Sequence, residues 1–373
     1  MRSDATWAEP ATSSPNRETL PAVISRHARR SRIPFGLLLI GLGVAVGVIA
    51  YLVDSADEGT AGPPSNAEAR LSPDGGAAGA SGSPSPSPEP GGKLLIHGTG
   101  DVSLDPSYIP AFQTNGYGWA WSGLHGLFER DDLTIINHEC PSTDVVASLD
   151  KTFVFRCDPD ALDEARAAGV DVANLANNHA FDQGPQGLLD SIRNIRRTGI
   201  VPVGAGTSQE KADAPAYIDV KGWTVAVVGV GEVTDPDSQV AVGDEIGSSV
   251  GHDFPRALAA IREAEANADL VIVVIHWGVE LDTQPRAYQV DEAHRMIDAG
   301  ADMIFGSHAH RLQPMDTYEG KPIFYGLGNF VWPRFSAEGS ATAVAEVVVR
   351  PDGEIVGRLL PATIVSDGHP VLN

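Results

Sequence analysis

From Lys93 onward the chain repeats one pattern, in which a short apolar run ends in polar residues and an amphipathic segment often follows. That pattern restricts it to an α/β fold, because short apolar runs suit buried strands and amphipathic segments suit helices laid over them. The runs are LLIHGTGD (94–101), LTIINHE (133–139), VDVANLA (170–176), LVIVVIHWG (270–278), MIFGSHAH (303–310) and PIFYGLGNF (322–330). Helices are expected at Ala161–Ala168, Pro185–Thr198, Pro255–Asn267 and Ala287–Ala299. In the second, Leu188, Leu189, Ile192 and Ile195 recur at helical spacing and mark a buried face. Two hairpins complete the pattern. One spans 216–231 and turns at Lys221-Gly222; the other spans 342–360 and turns at Pro351-Asp352-Gly353. Together they predict a mixed sheet, or two packed sheets, with helices outside.

Open α/β folds gather functional groups beyond the carboxyl ends of their strands. Here those positions hold Gly100-Asp101, then Asn137-His138-Glu139, then Asn177-Asn178-His179 with Asp182 and Gly184 behind, then His276, then His308 and His310. One histidine at a strand end is more often a hydrogen-bonded structural group than a ligand. Carboxylates, an amide and imidazoles at successive strand ends form a metal-ligand set. Such donors suit divalent zinc, manganese or iron rather than a thiolate site. Two ions bridged by a carboxylate can activate a water for in-line displacement at phosphorus. Other residues have plainer assignments. His138 alternates with Asn137 and Glu139, so it faces the opposite side of its strand. His97 lies inside the first strand, and His125, His252, His294 and His369 are expected at the surface. Tyr117, Trp119 and Trp121 suit either core packing or a substrate groove. Trp277 and Trp332 sit beside candidate ligands, where they can wall a pocket.

Read in order, Gly100-Asp101, Asn137-x-Glu139, Asn177-Asn178-His179-Ala180-x-Asp182-x-Gly184, His276-Trp277-Gly278-x-Glu280, Gly306-Ser307-His308-x-His310 and Gly326-Leu327-Gly328-Asn329-Phe330 form a motif series. The series resembles the bacterial capsule-synthesis CapA family, also called the poly-γ-glutamate synthesis family. That family is similar in turn to calcineurin-like metallophosphoesterases. The resemblance covers residues 93–365 and implies a four-layer α/β/β/α sandwich preceded by one transmembrane helix. It also implies capsule or extracellular polymer synthesis or export, with one or two divalent ions. On the matched positions it implies Asp101 and His310 at a first ion, Glu139 as a bridging carboxylate, and Asn178, His276 and His308 at a second ion. His179 would protonate or polarise a leaving oxygen, with Asp182 and Glu280 orienting imidazoles and Asn329 in the turn beside the site. Implied partners are the membrane, an extracellular polymer or phosphoester substrate, and a membrane synthase complex. The series departs from the superfamily at Ser103, where the first motif usually has His. That departure leaves a second reading open, a non-catalytic, metal-stabilised polymer-binding or scaffold component.

The chain before Lys93 has a different texture. Ile33–Val53 carries no charge and matches the roughly 20 apolar residues needed to cross about 30 Å of hydrocarbon. Arg26, Arg29, Arg30 and Arg32 precede it, and Asp54, Asp57 and Glu58 follow. The positive-inside rule then puts residues 1–32 in the cytoplasm as a tail and the bulk of the chain outside. A cleaved signal peptide is the alternative, but the apolar run exceeds a usual signal core and Asp54 interrupts the cleavage motif. Residues 54–92, rich in Gly, Ala, Ser and Pro, read as a disordered tether, which leaves 93–373 as the extracytoplasmic domain. The formal net charge is −23; residues 1–32 hold +3 and 33–53 none, so the rest carries −26. Such an acidic domain is a poor match for nucleic acid. The two cysteines, Cys140 and Cys157, can pair in an oxidising compartment or remain buried thiols.

Overall fold

In a computed structural model the described residues are 91–147, 149, 151–233, 240–249 and 254–373. The expected tail (1–32), membrane span (33–53) and all but the last two residues of the tether (54–92) lie outside them, as does His252. Among the described residues no helix is long and apolar enough to cross a membrane.

Strands β1 (Leu94–Val102), β2 (Leu133–His138), β3 (Val172–Asn174), β4 (Val201–Val203) and β5 (Ala205–Gly206) come first. They are followed by β6 (Ala216–Val220), β7 (Trp223–Gly231), β8 (Gly247–Ser248), β9 (Leu270–His276) and β10 (Met303–Ser307). Then come β11 (Met315–Tyr318), β12 (Lys321–Phe324), β13 (Asn329–Val331), β14 (Ala341–Val349), β15 (Ile355–Ser366) and β16 (His369–Leu372). One sheet runs β16-β15-β14-β1-β2-β3-β4, with β13 also paired to β1; the other runs β11-β12-β10-β9-β7-β6. β5 and β8 form a small separate pair.

Side-chain alternation along the strands decides the layers. Leu94 and Ile96 of β1, Leu133 and Ile135 of β2, Val225 and Val227 of β7, and Leu270, Ile272 and Val274 of β9 share one core between the sheets. Residues of opposite parity face outward. Ile136, Ala173 and Val344 pack in a core with residues of helices Ala161–Ala167 and Gly184–Arg197. Val228, Val273 and Ile304 do the same with helices Phe254–Asn267 and Ala287–Asp298. The layers therefore run helix, sheet, sheet, helix. Each large side chain buried in these cores contributes roughly 1.5–3 kcal/mol of transfer free energy.

The four expected helices stand within a residue of their expected ends. In the second, Gly187, Leu188, Ser191, Ile192 and Ile195 are buried, while Leu189 is only half-buried at the margin of that stripe. Both hairpins form; Lys221 and Gly222 take φ 49° and 84° at the first turn. The segment 322–330 differs from its reading as one strand. β12 pairs in one sheet and β13 in the other, so Tyr325–Gly328 crosses between them. The crossing runs tightly past β1. The Asp101 N–H donates to the Gly328 carbonyl at 3.0 Å, and Gly328 has φ 72°. A Cβ on Gly100 would lie 1.9 Å from that carbonyl oxygen.

Several assignments change in three dimensions. His369, expected at the surface, is 9% exposed; its ring stacks on Trp119 at 3.7 Å and Nδ1 meets the Trp119 carbonyl at 2.8 Å. His294 is half-buried, with its ring 3.9 Å from Tyr318. Tyr117, Trp119 and Trp121 belong to the outer core or pack on it. Trp277 is fully buried in the opposite outer core and donates to the Tyr325 carbonyl at 2.9 Å, so it does not wall the site.

Candidate metal centre

The carboxyl ends of β1, β2 and β3 in one sheet face those of β9 and β10 in the other. Asp101 lies at the end of β1, Glu139 just past β2, Asn178 in the loop after β3, His276 at the end of β9, and His308 and His310 just past β10. Asp101, Glu139 and His276 are fully buried. His276 Nε2 lies 2.9 Å from Asn178 Oδ1, 3.1 Å from His308 Nδ1 and 3.5 Å from Glu139 Oε1. His310 Nδ1 lies 3.0 Å from Asp101 Oδ2. The ligand atoms form two groups, Glu139–His276–His308 and Asp101–Glu139–His310, each spanning at most 4.8 Å and sharing Glu139.

Backbone and neighbours aim these groups. His308 and His310 take φ 92° and 51°, left-handed conformations that cost a non-glycine residue on the order of 1–3 kcal/mol. The loop thereby turns both imidazoles inward. The registers of β1, β2 and β3 align Asp101, Asn137 and Asn174 across three strands. Asn137 Nδ2 donates to Asp101 Oδ1 at 2.9 Å, and Asn174 Nδ2 donates to Asn137 Oδ1 at 3.0 Å. His276 Nδ1 sits 3.2 Å from Ser307 Oγ, whose hydroxyl donates to the Ile275 carbonyl at 3.3 Å. Asn137 Nδ2 lies 3.1 Å from the same Nδ1, so the ring is held between an amide and a hydroxyl, with Nε2 facing Asn178 and Glu139. Sequence reasoning did not single out Asn174, and gave Ser307 no role beyond its place in the motif series. Their signal was a polar residue inside an otherwise apolar strand, in line with the site.

His179 Nδ1 lies 2.8 Å from Asp182 Oδ2. Asp182 also accepts from Lys151 Nζ at 2.8 Å and from the Phe155 N–H at 2.7 Å. The Phe155 ring lies 4.2 Å from the His179 ring, and the Trp332 ring 4.9 Å from His310. Lys151 and Phe155 sit on a segment whose ends are joined by a disulfide between Cys140 and Cys157, with Cα atoms 5.8 Å apart. Asn329 Oδ1 meets His310 Nδ1 at 2.8 Å, and its amide donates to the Gly339 carbonyl. Glu280 lies close enough for its charge to act on His310 and Glu139. It is exposed and makes no hydrogen bond to an imidazole among the described residues. His138 turns away from the site, as strand alternation requires, and its Nε2 meets Ser142 Oγ at 2.9 Å. Burial lowers its pKa to about 4. Ser103 is fully buried and its hydroxyl has no hydrogen-bond partner.

The electrostatics are those of a crowded, dry site. Burial and then the neighbouring Asp101 push the Glu139 carboxyl well above its ordinary range. Burial alone would raise Asp101 as well, but His310 and His276 beside it hold it well below. Burial and His308 keep His276 neutral by driving its pKa down. Burial opposes charge on His310, yet the contact with Asp101 raises it. Both Glu139 oxygens are buried with no hydrogen-bond partner, and two ionised carboxylates cannot donate to each other. A divalent cation fits this arrangement. It would engage the orphaned oxygens, allow Asp101 and Glu139 to ionise together, and use neutral imidazoles. Oxygen and nitrogen donors suit zinc, manganese or iron. The nearby trio His138, Cys140 and Cys157 offers no thiolate, because its sulfurs are joined to each other.

These features define a four-layer α/β/β/α protein with a candidate divalent-metal centre where its sheets meet. Residues 96–334 match the family model for the bacterial capsule synthesis protein PGA_cap. The chain belongs to that family. The capsule biosynthesis protein CapA of Bacillus anthracis is 34% identical over 287 residues, which cover 74% of this chain and 69% of the relative. The PGA biosynthesis protein CapA of Bacillus subtilis is 30% identical over 257 residues, covering 68% and 67%. Among solved structures, the NAD nucleotidase of Haemophilus influenzae superposes with a TM-score of 0.47 at 13% identity, over 75% of this chain and 53% of that one.

Proposed function

We propose that this chain is a membrane-anchored, extracytoplasmic component of capsule or poly-γ-glutamate synthesis or export, with a metal-dependent, phosphoesterase-like hydrolase site. The observation that supports it best is the buried Glu139 carboxylate, orphaned on both oxygens and common to two ligand groups. Asp101 and His310 would hold one ion, Asn178, His276 and His308 another, and Glu139 both. Bound ions would lower the pKa of a water to about 7 and stabilise developing negative charge on a phosphoryl oxygen.

The chain's own residues supply the rest. Asp182 takes the Nδ1 side of His179, which leaves Nε2 free to donate a proton to a leaving oxygen. Lys151 balances the charge of Asp182 and also donates to the Asn178 carbonyl at 2.9 Å. It thus ties the acid to a ligand-bearing loop. Phe155 and Trp332 cover His179 and His310 and keep bulk water from them. Burial, helped by the charge of Glu139, raises Tyr108 to about 12, so its hydroxyl stays a neutral donor beside Trp332. Residues 33–53 would carry the membrane contact, with the domain outside the cell membrane next to a synthase complex.

Elemental analysis of the full chain should find one or two divalent ions per molecule. Phosphomonoesters and phosphodiesters should be hydrolysed with added manganese or zinc, and turnover should vanish in His179→Ala and in His308→Ala. Bound metal without turnover on any phosphoester would sink the hydrolase reading. It would favour the second reading, a metal-stabilised polymer-binding or scaffold component. One feature speaks for that second reading: Ser103 supplies no imidazole to the Asp101 group.

A further inference from the structure

We propose that a second site, separate from the metal centre, binds the carboxylates of an acidic polymer chain in a cationic groove where the two sheets end. The identity of the occupant rests on the polymer role proposed above; the cationic character of the groove does not. β4 is the edge of one sheet and β6 the edge of the other. Two adjoining cavities, of about 450 and 420 Å³, open along this side and share Arg196, Ala205, Lys211 and Ala214. Their charged lining is entirely cationic: Arg196 and Lys211 in both, and Arg193 in the second. Among the described residues no carboxylate lines either cavity, although the chain from residue 54 onward carries −26.

An acidic domain has carboxylates to spare for its cations, and nearby ones are used that way. Arg197 pairs with Asp163, Arg256 with Asp213, and Arg193 with Asp190. Arg196 has no ion pair among the described residues, and Lys211 Nζ meets only the neutral Thr207 hydroxyl, at 3.1 Å. Between these cations the floor is aliphatic, with the half-buried Leu189 and the buried Ile192. Uncompensated cations over an aliphatic floor complement a flexible chain of methylenes carrying carboxylates. Among the described residues no aromatic side chain lines the groove to stack on a base or a sugar ring. Pro202 lies mid-strand in β4 and has no N–H to offer an added strand. Recognition therefore runs through side chains rather than through sheet extension. The groove shares no lining residue with the metal centre, so it can hold one stretch of a polymer while another stretch reaches the ions.

The test uses the full chain in detergent and a short, fluorescein-labelled oligo-γ-glutamate, read by anisotropy. Binding should weaken as salt rises. The double variant R196E/K211E should weaken it about tenfold or more, while Arg350→Glu, a charge reversal at the exposed turn between β14 and β15, should bind as tightly as the wild type. Thermal melting of R196E/K211E establishes that it is folded, and the single variants Arg196→Gln and Lys211→Gln should each give part of the loss. Wild-type affinity in the folded double variant, or no binding by the wild type, overturns the proposal. Binding lost in His308→Ala but not in R196E/K211E would place the polymer at the metal centre instead. Failure of the hydrolase reading shows up separately, in the phosphoester assays, which do not depend on the groove.

Discussion

Replacing Glu139 with Gln keeps the side chain's shape and removes its charge. In the metal-free protein both carboxylate oxygens are buried without a hydrogen-bond partner among the described residues, and Gln keeps a buried polar pair there, so the two side chains differ in proton linkage rather than in the cost of an unmet hydrogen bond. Metal-free Glu139→Gln should therefore melt above metal-free wild type. Above about pH 4.3 the gain is about 1.4 kcal/mol for each pH unit, or roughly 3–6 °C per unit at about 2–4 °C per kcal/mol. The sign holds against pH. Burial and Asp101 raise the folded pKa of Glu139, so the folded state keeps a proton that the unfolded chain releases above about 4.3. Wild-type stability then falls as pH rises from that point until Glu139 itself ionises, and the advantage of Gln grows over the same window. Metal reverses the order. An ion at a hundredfold excess over its dissociation constant stabilises the wild type by about 2.7 kcal/mol. The variant lacks the ligand common to both groups and should gain little. Calorimetry of the full chain in EDTA, then in manganese or zinc, measures both halves. A variant that melts below wild type in EDTA, or that gains as much from metal, would refute the claim that a cation belongs against Glu139.

Three further outcomes follow from the packing. Joining Cys140 to Cys157 closes a loop of sequence separation 17, so reduction, or C140S/C157S, should cost about 3 kcal/mol; hydrogen exchange should rise over residues 141–156, and unchanged exchange there would count against the disulfide as the clamp on Lys151 and Phe155. Gly100→Ala sets a Cβ 1.9 Å from the Gly328 carbonyl oxygen, a backbone clash that should cost about 3 kcal/mol or more in urea unfolding; wild-type stability would mean that the crossing past β1 is looser than described. Burial, and then the Glu292 carboxyl beside it, raise Glu232 to about 9, so stability should decline as pH climbs from about 4.3 toward that value; Glu232→Gln should flatten the decline, measured as urea midpoints against pH.

Much of this fold was legible because strands and helices carry different periods. The runs at 94–101 and 270–278 and the four helices lie where alternation and helical spacing put them. What could not be read were features decided by contacts between distant residues. β4 and β16 are short and have too few residues for a period to show. The segment 322–330 looks continuous as a string of apolar residues, yet Gly328, at φ 72°, lets it leave one sheet and enter the other. His369 resembles a surface residue until Trp119, 250 positions away, covers it. At the site, the convergence of Asp101, Glu139, Asn178, His276, His308 and His310 was suggested by their places at strand ends. Lys151 was not, because a lysine in a loop carries no local signal of the buried carboxylate it meets.

The two ligand groups are built unequally, and the topology explains how. His276 ends β9 and His308 directly follows Ser307, the ladder partner of His276 on β10, so the ladder carries their spacing up to one left-handed residue, and Asn178 reaches them from the other sheet. The Asp101 group has no imidazole from the end of β1, where Ser103 follows the strand. Its imidazole, His310, comes instead from a left-handed turn past β10 and is held by Asn329. Asn329 lies on β13, the strand delivered by the sheet-crossing segment and paired in register with Asp101 itself. The first group therefore depends on glycine-enabled crossing at Gly328 as much as on its own donors. A change that loosens the crossing should weaken the Asp101–His310 group while leaving His276 and His308 in place, because only His310 is held by Asn329 beyond the crossing.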